Sequence, residues 1–204
     1  MSVQVFEGDL PEGFVLKGSL AVDTETTGLN FARDRLCLVQ VRDEDDKTVL
    51  IRFPKDTPIR APRLLGALAN PSALKIFHFA RFDVAVLYRA LNVRCDPLFC
   101  TKIASKLVRT YTKKHGLMDI SADLLGLEIS KQEQRSDWGT EMLTEDQFQY
   151  ASNDVANLHA LKDKLEQMLY REGRLEIAND LFRAIFVRSQ LDSLGWADED
   201  IFAH

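Results

Sequence analysis

Asp23 and Glu25 are the residues whose types and spacing most directly permit chemistry. They stand in Leu20-Ala21-Val22-Asp23-Thr24-Glu25-Thr26-Thr27-Gly28-Leu29, where an apolar run followed by a glycine predicts a buried strand ending at a turn. Strand side chains alternate, so both acids face one side. Two carboxylates so placed repel and lose solvation, a cost that a divalent cation between them would remove. The alternative is a solvated strand end with two surface acids. Asp83 is the next such residue: in Phe79 to Ala90 it falls within an apolar stripe of Phe79, Phe82, Val86, Leu87 and Ala90, and a carboxylate on a core face needs a hydrogen-bond donor, a basic partner or a metal. Tyr150 and Asp154 are four apart and stack on one flank of a helix, a hydroxyl and a carboxylate facing one small site.

The elements that must position these residues follow from periodicity. Residues 3 to 18 carry Gly8, Pro11, Gly13 and Gly18 and read as a short strand or hairpin leading into the strand of Asp23. Arg35 to Arg42 and Lys47 to Phe53, joined by Asp43-Glu44-Asp45-Asp46, predict an antiparallel hairpin beside it. After Pro54, Pro58 and Pro62 come a helix from Arg63 to Ala69 and a strand over Leu74 to Phe79. Strand and helix then alternate, which favours a mixed sheet with parallel crossovers, an α/β fold. Pro97 to Arg109 reads as a helix on which Lys102, Lys106, Arg109 and Lys113 share one face, either a phosphate contact or a solvated helix face. Met118 to Gly126 reads as a short helix ended by its glycine. Thr144 opens a long helix through a capping box with Gln147 and an apolar stripe of Phe148, Ala151, Val155, Leu158, Leu165 and Met168. A last helix spans about 174–194.

With 204 residues, 46% hydrophobic and 28% charged, the chain is expected to be a single globular domain, 1–204, with a core of about 18–170. It has no apolar run long enough for a bilayer and no signal-peptide pattern at its start, so no membrane partner and a cytoplasmic location are expected. Cys37, Cys95 and Cys100 form no CxxC pair and read as packing residues. The formal net charge of −5 argues against holding long nucleic acid by counterion release, yet permits a small phosphate substrate handled with metal ions.

Together the acids match, in order and spacing, the three motifs of the DEDD-superfamily 3′-5′ exonucleases. Asp23-Thr24-Glu25 resembles the first motif, Phe79 through Asp83 the second, and Tyr150-Ala151-Ser152-Asn153-Asp154 the third. The tyrosine four before the last Asp is the mark of the tyrosine subgroup, which contains ribonuclease D and polymerase proofreading domains. The histidine subgroup would place a histidine at the position of Gln149. The stretch Lys131 to Trp138 also resembles a ribonuclease D segment with Gln-Arg-Ser-Asp-Trp. Ribonuclease D carries helical nucleic-acid-binding domains after its catalytic one, for which this chain has no counterpart, so it is most similar to the short bacterial nano-RNase C enzymes. It departs at His78, where many relatives have an asparagine.

The resemblance implies a ribonuclease H-like mixed sheet flanked by helices, with a helical C-terminal segment. It implies hydrolysis of the 3′-terminal phosphodiester of short RNA, down to dinucleotides, with two divalent cations, Mg2+ or Mn2+, about 4 Å apart. Asp23 would bridge them, Glu25 and Asp154 would complete the site that activates water, Asp83 would support the ion at the leaving oxygen, and Tyr150 would orient the water. Leu29 and His78 are candidate contacts to the terminal nucleotides, and Lys102, Lys106 and Arg109 candidate phosphate contacts. The apolar width of the last helix, followed by Trp196 and Phe202, together with the resemblance, points to a homo-oligomer larger than a dimer. The competing readings are ribonuclease D-like RNA 3′-end processing, DNA proofreading, and a non-catalytic RNA-binding scaffold. Four converging acids argue against the scaffold, since they strain folding.

Overall fold

The computed structural model describes residues 3–30, 33–128 and 136–204. Six strands form one mixed sheet: β1 (Val3–Glu7), β2 (Leu20–Thr26), β3 (Leu36–Arg42), β4 (Thr48–Arg52), β5 (Lys75–Phe77) and β6 (Leu98–Cys100), ordered β1-β4-β3-β2-β5-β6. The expected hairpin is β3 and β4, antiparallel to each other, and β3 is also antiparallel to β2, while β5 and β6 continue from β2 in parallel as the alternating strand-helix pattern requires. β1 does not form a hairpin leading into β2. It lies at the far edge, parallel to β4, because the segment carrying Gly8, Pro11 and Gly13 takes the chain back across the sheet.

Seven α-helices accompany the sheet among the described residues: α1 (Pro62–Ala69), α2 (Ala80–Leu91), α3 (Thr101–Val108), α4 (Leu117–Leu125), α5 (Glu145–Ala156), α6 (Leu158–Arg171) and α7 (Leu175–Leu191), the last ending in a wide turn at Asp192–Trp196. Two expectations are corrected. Leu98 to Cys100 is strand rather than the start of a helix, since its apolar run completes the sheet beside β5. The long helix after Thr144 is two helices, divided at Asn157, whose φ of −112° and ψ of 3° leave the helical region. The stripe nonetheless continues across the break through Ala151, Val155, Leu158, Leu161, Leu165 and Leu169, all fully buried.

β3 and β4 are buried on both faces, and alternation divides their side chains. Val39, Val41, Val49 and Ile51 join the large core with α1, α2 and α6, whereas Leu38 and Leu50 join a smaller cluster with Ala151 of α5 and Trp138. Directly opposed residues in an antiparallel pair share a face. Asp23 opposes Gln40 and Glu25 opposes Leu38, so both acids look toward α5, the helix that carries Tyr150 and Asp154. The start of β5 is fixed by Lys75, a fully buried lysine whose ammonium donates to the carbonyls of Asn70 (2.8 Å), Ala73 (2.6 Å) and Asp96 (2.7 Å). The three cysteines are free and buried, in keeping with packing.

The capping box at α5 is formed as the sequence indicates: Gln147 N–H donates to Thr144 Oγ1 at 3.2 Å, and Thr144 N–H to Gln147 Oε1 at 2.9 Å. Gln147 Nε2 also donates to Ser136 Oγ (3.0 Å) and to the Asp137 carbonyl (3.1 Å), tying the preceding loop to the helix. Thr144→Ala should therefore cost about 1 kcal/mol, a fall of about 2–4 °C in Tm for a chain of this size, measurable by scanning calorimetry; an unchanged Tm would show that the cap carries no stability.

Candidate active site

Asp23, Glu25 and Asp154 converge: one carboxylate oxygen from each lies within 4.8 Å of the others. The first two come from the end of β2, where the register against β3 shifts between Glu25 and Thr26, a local irregularity of the kind that re-aims side chains beside sites. Asp154 comes from the second half of α5. Asp83 arrives from the other side of the sheet on α2 and accepts a hydrogen bond from Thr24 Oγ1 at 2.7 Å. Thr24 has the opposite parity to Asp23 and Glu25, so the Asp-Thr-Glu run serves both faces of β2. Thr24 was not singled out in the sequence. Its signal was its place between two acids, where alternation turns its hydroxyl toward the helix that brings in Asp83.

The electrostatics of this group follow from burial among like charges. Burial, followed by repulsion from Asp83, Asp154 and Glu25, holds Asp23 well above the usual carboxylate range. Burial and the charges of Asp154 and Asp83 push Glu25 up to about 9. Asp83 and Asp154 are raised by burial to about 7, opposed at Asp83 by the Thr24 hydroxyl and at Asp154 by the Tyr150 hydroxyl. Tyr150 is itself raised, first by burial and then by Asp154 and Glu25, so it keeps its proton at neutral pH. An all-oxygen donor set held close at such electrostatic cost fits a hard divalent cation.

These residues line a cleft of about 520 Å3 together with Leu29, His78, Phe79, Lys102, Ser136 and Trp138, among others. Leu29 is 84% exposed at its rim. The cleft side of β5 ends in a hydrogen-bond relay: Thr101 Oγ1 donates its one proton to the Phe77 carbonyl at 3.1 Å and lies 2.9 Å from His78 Nδ1. Thr101 must then accept from His78, which places the imidazole proton on Nδ1 and leaves Nε2 as an acceptor. Burial and the neighbouring Lys102 lower His78 to about 3, so the ring stays neutral.

The expected basic face is corrected. α3 ends at Val108, and of its cations only Lys102 lines the cleft, its ammonium 4.2 Å from the centre of the Phe79 ring. Lys106 is exposed and not among the lining residues. Arg109 is fully buried, donating to Ser105 Oγ (3.1 Å), the Lys114 carbonyl (2.7 Å) and Asp123; the helix ends just before it, which turns the guanidinium into the fold. Of the stretch Lys131 to Trp138, Lys131 to Arg135 lie outside the described residues, while Trp138 packs against Tyr150 with ring centres 6.1 Å apart.

The raised carboxyls give a pH dependence whose sign is determined. Each binds its proton more tightly in the folded, metal-free protein than in the unfolded chain, so their contribution to stability is present below the ordinary carboxylate range and is lost as pH rises toward about 9. Metal-free protein should melt lower at about pH 9 than at about pH 6, and Asp154→Asn should flatten that slope. Equal slopes in chelator-treated wild type and variant, followed by circular dichroism, would mean that the carboxyls do not repel as placed.

Comparison with known proteins agrees with this geometry. Residues 12–170 match the family model described as a 3′-5′ exonuclease. A ribonuclease D of Gluconacetobacter diazotrophicus is 34% identical over 169 residues, which make up 79% of this chain and 41% of that protein; the chain thus spans about two fifths of the length of that relative. Among solved structures, NrnC of Brucella melitensis bound to pGG is 47% identical and superposes with a TM-score of 0.93, covering 100% of this chain and 99% of that one. The same protein with bound Mg2+ is 46% identical, with a TM-score of 0.93 and 100% of both chains covered. Motifs, fold and relatives coincide over most of the sequence, and the chain belongs to the 3′-5′ exonuclease family, as a ribonuclease D-like member similar to the nano-RNase C enzymes.

Proposed function

We propose that this exonuclease hydrolyses short oligoribonucleotides from the 3′ end, with dinucleotides at or near its optimum. The observation that carries this reading is the cleft: its volume of about 520 Å3 is that of a small-molecule site, and Lys102 is its only lysine or arginine among the described lining residues. A long RNA gains affinity by neutralising many phosphates, and the described residues of this cleft offer little with which to do so. The pGG bound to the Brucella relative points the same way.

In this proposal Asp23, Glu25, Asp83 and Asp154 hold two divalent cations, Mg2+ or Mn2+, as the Mg2+ in the Brucella relative suggests. Bound there, such ions lower the pKa of water and neutralise charge on the phosphate. The protein's own groups do the rest. Tyr150, protonated and hydrogen-bonded to Asp154, orients the attacking water rather than removing its proton. Lys102 supplies a cation for a substrate phosphate, Leu29 an apolar surface for a base, and His78 Nε2 an acceptor for a ribose hydroxyl. The whole chain, 1–204, acts as one exonuclease unit, working in the cytoplasm.

The test compares kcat/KM for 5′-phosphorylated RNAs of increasing length from the dinucleotide upward, and for the matching DNAs, in Mn2+ at low and high salt. Activity should be highest at the dinucleotide with a shallow salt slope, and Asp154→Asn should reduce it to background. A rise with every added nucleotide, with the salt slope steepening, would return the enzyme to general ribonuclease D-like processing.

The same proposal includes assembly into a homo-oligomer larger than a dimer. It is supported by a stripe along α7 of Ile177, Leu181 and Ala184, all exposed, with Leu194, Trp196, Ile201 and Phe202 exposed beyond it. Light scattering at micromolar concentration should give a mass several times the 23.2 kDa of one chain; a monomer would overturn this part of the reading.

A further inference from the structure

The exonuclease motifs leave one ionic network around a buried carboxylate unexplained, and it connects the C-terminal segment to the cleft. α2 enters the cleft through its first turn, where Phe79, Phe82 and Asp83 all line the site. The residue that opens this turn is in a disfavoured conformation: Phe79 has φ 69° and ψ 43°, and it makes no side-chain cap. A bulky residue in the left-handed region persists only where its surroundings impose it. Arg81 is the side chain that leaves this turn toward the C-terminus. Its Nε and Nη2 grip the carboxylate of Asp192, the latter at 2.7 Å, and Nη2 donates as well to the Ala197 carbonyl at 2.7 Å.

Asp192 sits in the turn that ends α7, and its side chain is wholly shielded from solvent. Its carboxylate also receives Arg188 Nε at 3.0 Å, and Arg188 continues to the carbonyls of Trp196, Ala197 and Glu199, each at 2.9 Å. One buried carboxylate therefore joins the first turn of α2 to the end of α7 and to the segment beyond it. Desolvation makes such a network a weak source of stability, whereas the planar arginine fork fixes orientation well.

We propose that Asp192, acting through Arg81, is a positioning residue for the active site: it sets the first turn of α2 and thereby the places of Phe79, Phe82 and Asp83 in the cleft. The segment after α7 is on this account a working part of the exonuclease site, although none of its residues touches the cleft. The inference rests on the exonuclease reading for its kinetic consequences and on the geometry alone for its effect on cation binding.

The test uses Asp192→Asn, which keeps the shape and removes the charge, Arg81→Lys, which keeps the charge and removes the fork, and Arg81→Met, which removes both. Three quantities are measured on the full chain: Tm, Mn2+ affinity by calorimetry without substrate, and kcat and KM on a dinucleotide at saturating Mn2+. At a temperature where every variant is folded, Asp192→Asn and Arg81→Met should lower kcat by about ten- to a hundredfold, more than they change KM, and should weaken Mn2+ binding. Arg81→Lys should recover part of the loss. A lower Tm with kcat and Mn2+ affinity within about twofold of wild type would overturn the proposal and make the network structural only. A wild type that binds Mn2+ but cleaves no oligonucleotide would defeat the exonuclease reading instead, and the Mn2+ affinities of the variants would still decide the role of Asp192.

Discussion

Four carboxylates that repel one another, Asp83 buried and Asp23, Glu25 and Asp154 half-buried, are the constraint on which the rest of this structure depends. Asp23, Glu25 and Asp154 lie close enough to share a cation, and Asp83 stands beside them. Left bare, such a group would disperse or take up protons, and the raised carboxyls show the second tendency. The fold resists dispersal by putting each acid on an element it cannot leave. Asp23 and Glu25 are on a central strand paired on both sides, Asp154 is on a capped helix packed across β2, β3 and β4, and Asp83 is on a helix held between the sheet and α7.

The supports of that arrangement are themselves polar and mostly buried. Thr24 restrains Asp83, the Thr101 hydroxyl fixes the His78 tautomer, and Gln147 ties the loop before α5 to its cap. Lys75 gathers three carbonyls at the start of β5, the strand that leads directly into His78. Each is a buried polar group with its partners in place, the condition under which such groups fix a geometry rather than weaken a core. The Arg81–Asp192 network belongs to the same class at a greater distance.

On the substrate side, positive charge is sparse among the described residues. Lys102 leans on the Phe79 ring, and the neutral imidazole of His78 adds none. Arg109, the arginine of the basic run, is taken by Asp123 and by the chain around it. A cleft with four carboxylates and, among the described lining residues, one lysine suits a ligand that arrives with cations and presents few phosphates, which is the physical basis for the short-substrate reading.

The sequence by itself determined the chemistry and most of the secondary structure. Spacing put Asp23 and Glu25 on one face, Tyr150 and Asp154 on one flank, and the capping box at Thr144, because these are local consequences of strand and helix geometry. Periodicity likewise placed β3, β4 and α2. What local pattern could not decide was where elements stop and what lies across from them. The strand Leu98–Cys100 reads as helix until β5 is there to pair with it. The basic stripe reads as one face until α3 ends at Val108 and buries Arg109. Only the tertiary structure brought Thr24 to Asp83, Thr101 to His78 and Asp192 to Arg81, contacts spanning 59, 23 and 111 residues of sequence. Partners so far apart leave no periodic trace, since their meeting is set by how whole elements pack and not by the residues between them.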